Sequence, residues 1–231
     1  MTELLDSEKR RFSKIMEIEG LGLETITRLK NSKIAIVGLT GVGVSTLIAL
    51  ITSGVSHVKV VDHLTIDEFN LPQGCLFSRG DIGKLKTIAI KEKLTNLHMV
   101  ERVAIKNVEL RSSNIDEVLD GAEIIVYASY DRETIKLISD FCVRNRKLFI
   151  WTVGCNFNSY LLCADPDNVA VLVDKAVSLV DRIFKSDYYY PSYVSAVAGG
   201  SAAAVAVNAL LGKSASFLRR CDVNTFEMEQ L

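Results

Sequence analysis

The stretch from Lys33 to Asp62, KIAIVGLTGVGVSTLIALITSGVSHVKVVD, most constrains the fold. An apolar run ends at Gly38. A loop carries Gly41 and Gly43, a helical run follows, and a second apolar run closes on Asp62. This is the strand, glycine turn, helix, strand, acid order of a nucleotide-binding unit. Gly38 permits a tight turn, Gly41 lets backbone N–H groups approach a phosphate, and Gly43 lets the helix pack against the strand. The helix N-terminus then favours negative charge. Asp62, 19 residues after Gly43, can accept hydrogen bonds from ribose hydroxyls at the end of the second strand. The alternative is a doubly wound sheet whose glycines serve packing alone. A Walker-type loop does not fit, because Val44 stands where that loop needs its lysine.

With 231 residues, 48% hydrophobic and 24% charged, the chain suffices for one large α/β domain. A net charge of −1 leaves no basic excess for a nucleic-acid backbone. No unbroken run of about 18 apolar residues is seen, so no membrane span is expected. The start, MTELLDSEKRRFSK, is charged and has no signal-peptide core, so a cytoplasmic location is the default expectation. Five cysteines (Cys75, Cys142, Cys155, Cys163, Cys221) form no C-x-x-C pair. A zinc ribbon or a disulfide framework is therefore not expected, and thiols in apolar runs read as small core residues.

Periodicity predicts helices over 7–18, with Ser7 as N-cap, and over 22–30. It predicts strands at 33–38, 57–62, 100–106, 123–129 and 147–153, separated by helices at about 42–53, 81–95, 114–119 and 131–145. Alternation of this kind implies a Rossmann-like, mostly parallel sheet with helices on both faces. Shorter strands are expected at 159–165 and 169–173, then a helix at 174–185, a Tyr-rich turn at 187–191, a small-residue helix at 194–211 and a hairpin around Asn224. The reading is one domain over 1–231: N-terminal helices to 31, a Rossmann core over 32–155, and an antiparallel extension with a crossover over 156–231.

Several motifs then occur in a familiar order. RRFSKIMEIEGLGLETITRLKNSKIAIVG precedes the glycine loop GLTGVG. DHLTIDEFNLPQG runs from Asp62 to Gly74, DIGKLK from Asp81 to Lys86, and YASYD ends at Asp131. LLGKSASFLRRCDVNTFEMEQL closes the chain. From about Arg11 onward the sequence resembles the superfamily of ThiF, MoeB and the ubiquitin-activating (E1-like) adenylyltransferases. The resemblance implies a domain that binds ATP and Mg²⁺ and activates the C-terminal glycine of a ubiquitin-like or sulfur-carrier protein ending in Gly-Gly. It implies that Asp62 holds the ribose, that Asn70 and Lys86 contact the phosphates, and that Asp131 helps place Mg²⁺. Each position has a plainer alternative: Lys86 as a solvated lysine, Asp131 as a helix cap, Asn70 as an Asx turn.

The departures from the family pattern matter equally. Gln73 occupies the place of the family's phosphate arginine, and Leu64 replaces a second aspartate. On the first helix, where the family offers an arginine to the partner subunit's nucleotide, Lys14 stands in that place and Arg11 remains. Lysine keeps the charge but loses the bidentate fork. The crossover, 174–193, holds no cysteine that could form a thioester. Three readings follow. The first is a reduced adenylyltransferase without a catalytic cysteine of its own. The second is a catalytically silent scaffold, or the regulatory half of an activating-enzyme heterodimer. The third is an NAD-linked oxidoreductase, for which His57, His63 and His98 offer no placed acid. A homodimer, or a heterodimer with another activating-enzyme subunit, is expected.

Overall fold

The computed structural model describes residues 2–74, 76–96, 103–183 and 189–231. Among the described residues, eight strands form one sheet in the order β3-β2-β1-β4-β5-β6-β7-β8. The parallel part comprises β1 (Lys33–Val37), β2 (His57–Val61), β3 (Val103–Lys106), β4 (Ile124–Tyr127) and β5 (Leu148–Cys155). The antiparallel part adds β6 (Asn158–Ala164), β7 (Phe217–Asp222) and β8 (Met228–Gln230). Residues 100–102 of the third expected strand, and His98, lie outside the described residues.

Each central strand buries both faces. Ala35 and Val37 of β1 point into one core, with Phe149 and Trp151 of β5. Ile34 and Ile36 point into the other. Burial on both sides is why these strands read as unbroken apolar runs. The first core is roofed by α5 (Ile115–Leu119), α6 (Arg132–Arg144) and α7 (Val169–Ile183). The second is roofed by α2 (Leu23–Asn31), α3 (Gly41–Thr52), α4 (Lys86–Asn96) and α8 (Ser192–Leu210). The first helix, α1 (Asp6–Met16), is pinned by a buried ion pair, Glu8 to Lys30 at 2.6 Å. Its Phe12 packs beside Gly54, beyond the C-terminal end of α3.

Four expectations are corrected. Ser7 is not an N-cap: the helix starts at Asp6, and the Glu8 carboxylate accepts the Leu5 N–H at 2.8 Å. Residues 81–95 are not one helix: Gly83 takes φ +84° after a 3-10 turn at Arg79–Asp81, and α4 begins only at Lys86. Val169–Val173 is not a strand but the first turns of α7. The Asp165 carboxylate accepts the N–H groups of Asp167 and Asn168, both at 3.0 Å, and so starts that helix. Residues 184–185 of the helix expected there, and 187–188 of the Tyr-rich turn, lie outside the described residues. Finally, α8 carries no charge over 19 residues and is long and apolar enough to cross a membrane. Here it packs within the domain: at Gly199 a Cβ would lie 2.5 Å from that of Ser45 on α3. Small residues let the two helices meet at this distance.

Candidate functional site

The strand order reverses between β1 and β4, and in open α/β sheets ligands bind in the crevice at that point. Gly38 turns the chain out of β1 with φ +95°, and a Cβ there would touch the Ala128 carbonyl at 3.0 Å. At Gly43 a Cβ would sit 2.0 Å from the Gly38 carbonyl oxygen, so α3 can start only with glycine at that place. Thr40 caps α3. Its hydroxyl donates to the Ala128 carbonyl at 2.8 Å and accepts the Gly43 N–H at 3.3 Å.

A cleft of about 1530 Å³ opens above these strand ends. Asn70, Gln73, Lys86 and Asp131, four residues singled out in the sequence, all line it. Lys86 is the most telling of them. It is only 5% exposed, and its ammonium has no ion pair or hydrogen bond among the described residues. The stem is packed away and the ammonium stands unpaired at the wall of an open cleft, where an anion can meet it. This is not the side chain of a surface lysine extended into bulk water. Burial comes from α4, whose first residue is Lys86, and from the segment after β2, where the Leu64 carbonyl accepts the Lys86 N–H at 3.0 Å. Behind them Asp81 is buried, and Lys93, Ser78 and Lys84 hold its carboxyl well below the usual carboxylate range.

Asp131 and Asn70 make the cap and the turn of their plainer readings, and both line the cleft. Asp131 caps α6, its Oδ2 accepting the N–H and hydroxyl of Thr134 at 2.8 and 2.6 Å, while Oδ1 carries no bond of this kind among the described residues. Asn70 closes a 3-10 turn reciprocally with Asp67 (3.0 and 3.1 Å) and presents its amide to the cleft. Asp62 is buried beside the cleft rather than lining it. Its two oxygens accept the N–H groups of Leu39 (2.6 Å) and Leu64 (2.8 Å), so the acid fixes the glycine loop from behind. Gly41 also has a neighbour not foreseen: a Cβ would lie 1.8 Å from the Gln73 carbonyl oxygen. The close approach that glycine permits is therefore made by the protein's own backbone. Arg11 and Lys14 do not join the site. They sit on α1, whose Phe12 packs by the far end of α3, and Lys14 pairs with Glu17 at 2.9 Å.

Sequence reasoning missed the cleft's aromatic mouth. Phe69 and Tyr189 are exposed, with ring centroids 6.1 Å apart. It also missed Thr40, Ser129 and Lys136 in the lining. The DEFN motif carried the only local signal, for Phe69. Three of the described thiols, Cys142, Cys155 and Cys163, are buried. Burial pushes Cys163 up to about 12 and raises Cys142 and Cys155 too. Cys75 lies outside the described residues.

Comparison with known proteins agrees with this fold. A probable molybdopterin-synthase adenylyltransferase of Porphyra purpurea is 33% identical over 144 residues, 62% of this chain and 38% of that protein. The sulfur carrier protein adenylyltransferase of Thermus thermophilus is 32% identical over 136 residues, 59% of this chain and 50% of that protein. The match thus spans half or less of these relatives' length. E. coli MccB with ATP shares the fold at a TM-score of 0.80 and 20% identity, covering 96% of this chain and 71% of that one. The ThiF family profile matches residues 12–231, and the chain belongs to the ThiF family.

Proposed function

We propose that this chain uses ATP to adenylate the C-terminal carboxylate of a small carrier protein ending in Gly-Gly. The observation that carries the reading is the buried, unpaired ammonium of Lys86 in a cleft at the sheet's switch point. In the proposed step a carboxylate oxygen attacks the α-phosphorus. A new P–O bond forms, the bond to the bridging oxygen breaks, and pyrophosphate leaves with the electron pair. Negative charge on the phosphate oxygens grows during this displacement. An ammonium held in place at the cleft wall stabilises that charge with little reorganisation. Asn70 and Gln73 offer neutral amides to the same wall, and Asp62 holds the loop on which the nucleotide would rest.

The residues fit a metal ion carried in by the triphosphate. Among the described residues no three His, Cys, Asp or Glu side chains gather as a cage. A Mg²⁺ ion bound to phosphates needs only one or two carboxylates, and Asp131 keeps Oδ1 for it. When bound, such an ion would neutralise phosphate charge. The test is ATP–pyrophosphate exchange with β-grasp carriers from the same genome, alongside calorimetry of ATP against NAD. Exchange that appears only with a carrier supports the reading, and its absence with every carrier would sink it.

A specific observation favours the scaffold as a second reading: Gln73 brings no charge to the cleft, and Arg11 and Lys14 are remote from it within one chain. For either side chain to act at a nucleotide, a homodimer or heterodimer would have to bring it across a subunit boundary. Gly200 adds support. It lies mid-α8, where glycine costs roughly 0.5–1 kcal/mol, yet a Cβ there would meet nothing within 4 Å. A second copy approaching that helix would account for it. Gly200→Leu is then expected to convert a dimer to monomers in light scattering, with secondary structure retained. An unchanged mass would remove α8 from the interface.

A further inference from the structure

The wall of the cleft at Gln73 is held from a distance. The Ser195 hydroxyl, buried in the first turn of α8, donates to the Gln73 carbonyl at 2.6 Å across 122 positions of sequence. At Gly41 a Cβ would lie 1.8 Å from that carbonyl oxygen and 2.6 Å from Ser195 Oγ. The Gln73 peptide is thus wedged between the glycine loop and α8. Tyr190 completes the arrangement. Its ring fills the space beside Gly154, where a Cβ would meet it at 2.9 Å. Burial pushes its hydroxyl up to about 12, against the opposing influence of the neighbouring Thr40 and Ser195.

The protons can be counted. Ser195 spends its proton on Gln73 and Thr40 spends its own on Ala128, so the single proton of Tyr190 can serve only one of the two at a time. The bonds from α8 and from the glycine loop thus end on two different main-chain carbonyls, Gln73 and Ala128. Hydrogen bonds made away from water hold the segments they join in one arrangement. Here they join the glycine loop, the end of β4, the segment before Gly74 and the start of α8.

From this we infer that Ser195 and Tyr190 are positioning residues that latch Gln73 onto the glycine loop. They thereby set the distance of its side-chain amide from bound phosphate. The inference rests on the nucleotide-site reading, and it names a dependence that reading alone does not contain. Without the latch, residues 71–74 would be free to lift, and a neutral amide, unlike an arginine, cannot reach after a moving phosphate with its charge. Binding should then weaken while the attacking geometry at the α-phosphorus, set elsewhere, changes less.

The experiment compares wild type, Ser195→Ala, Tyr190→Phe, Gln73→Ala and the Ser195→Ala/Gln73→Ala double variant. In the ligand-free protein, hydrogen exchange of the peptide spanning 70–77 is expected to rise about tenfold in Ser195→Ala and Tyr190→Phe, as loss of one buried hydrogen bond implies. By calorimetry, Ser195→Ala is expected to weaken ATP binding about tenfold in the Gln73 background and less than twofold in the Gln73→Ala background. In carrier-dependent exchange the loss should fall on KM for ATP and leave kcat within about threefold. Unchanged hydrogen exchange would overturn the latch, and so would an equal loss of ATP affinity in both backgrounds. A wild-type protein that binds no ATP would instead overturn the nucleotide reading, and the exchange arm would still decide whether the latch exists.

Discussion

Lys86→Met is expected to lower carrier-dependent ATP–pyrophosphate exchange by about 10²–10³-fold, the usual loss when one preorganised charge-stabilising group is removed from a water-poor site. Methionine keeps most of the stem's volume and drops the ammonium. Stability should move the other way. Lys86 is largely buried and its ammonium has no partner among the described residues, so methionine gives up no bond in the folded protein and leaves an apolar side chain where a charge stood. A melting temperature at or above wild type, joined to a collapse of exchange, identifies a group kept for chemistry at the expense of stability. Equal exchange rates in the two proteins would mean the ammonium is not used, and would leave the silent-scaffold reading in possession.

The second large effect falls on folding. Gly43→Ala places a methyl carbon 2.0 Å from the Gly38 carbonyl oxygen and 3.2 Å from the Ala128 Cβ. Neither neighbour is a flexible side chain. The carbonyl belongs to the turn that leaves β1, and Ala128 belongs to the end of β4, so α3 as a whole must slide. Overpacking of a rigid interior costs about 1–3 kcal/mol, and backbone on backbone belongs at the top of that range. For a domain of this size about 3 kcal/mol corresponds to roughly 6–12 °C in the melting temperature. Thermal denaturation followed by circular dichroism measures it directly. A shift below 2 °C would mean that the glycine turn yields more easily than its hydrogen bonds to Ala128 and Thr40 indicate.

Much of the architecture was legible, for local reasons. The β1–α3–β2 stretch announced itself because a strand buried on both faces must be apolar throughout, and because the glycine spacing is dictated by contacts within a few residues of the loop. Asn70, Lys86 and Asp131 were also recoverable, since motif order placed them on segments that the parallel sheet brings to one edge. What failed was local pattern without context. VAVLV before Asp174 is β-branched and reads as a strand, but a short apolar run cannot be told from a buried helix turn by periodicity alone, and the deciding signal was the Asx turn at Asp165. Gly83 likewise broke a helix that hydrophobic spacing had joined. Non-local dependence was hidden altogether. Nothing near Gln73 in sequence points to Ser195 or Tyr190, and nothing near Gly41 says that a main-chain carbonyl will occupy the space its missing side chain leaves. Asp62 was found for the right position, yet the neighbours that use it first, Leu39 and Leu64, are fixed by the turn of the chain around it.

The single tryptophan of the chain gives the molecule a built-in optical probe. Trp151 is fully buried on β5, and its indole Nε1 donates to the Ser129 carbonyl at 2.7 Å. Ser129 belongs to the wall of the cleft. Any guest that tugs on that wall alters the electric environment of one fluorophore, in a protein with no second indole to dilute the signal. Emission from the unlabelled chain can therefore follow occupancy in real time, with no dye, tag or radioisotope.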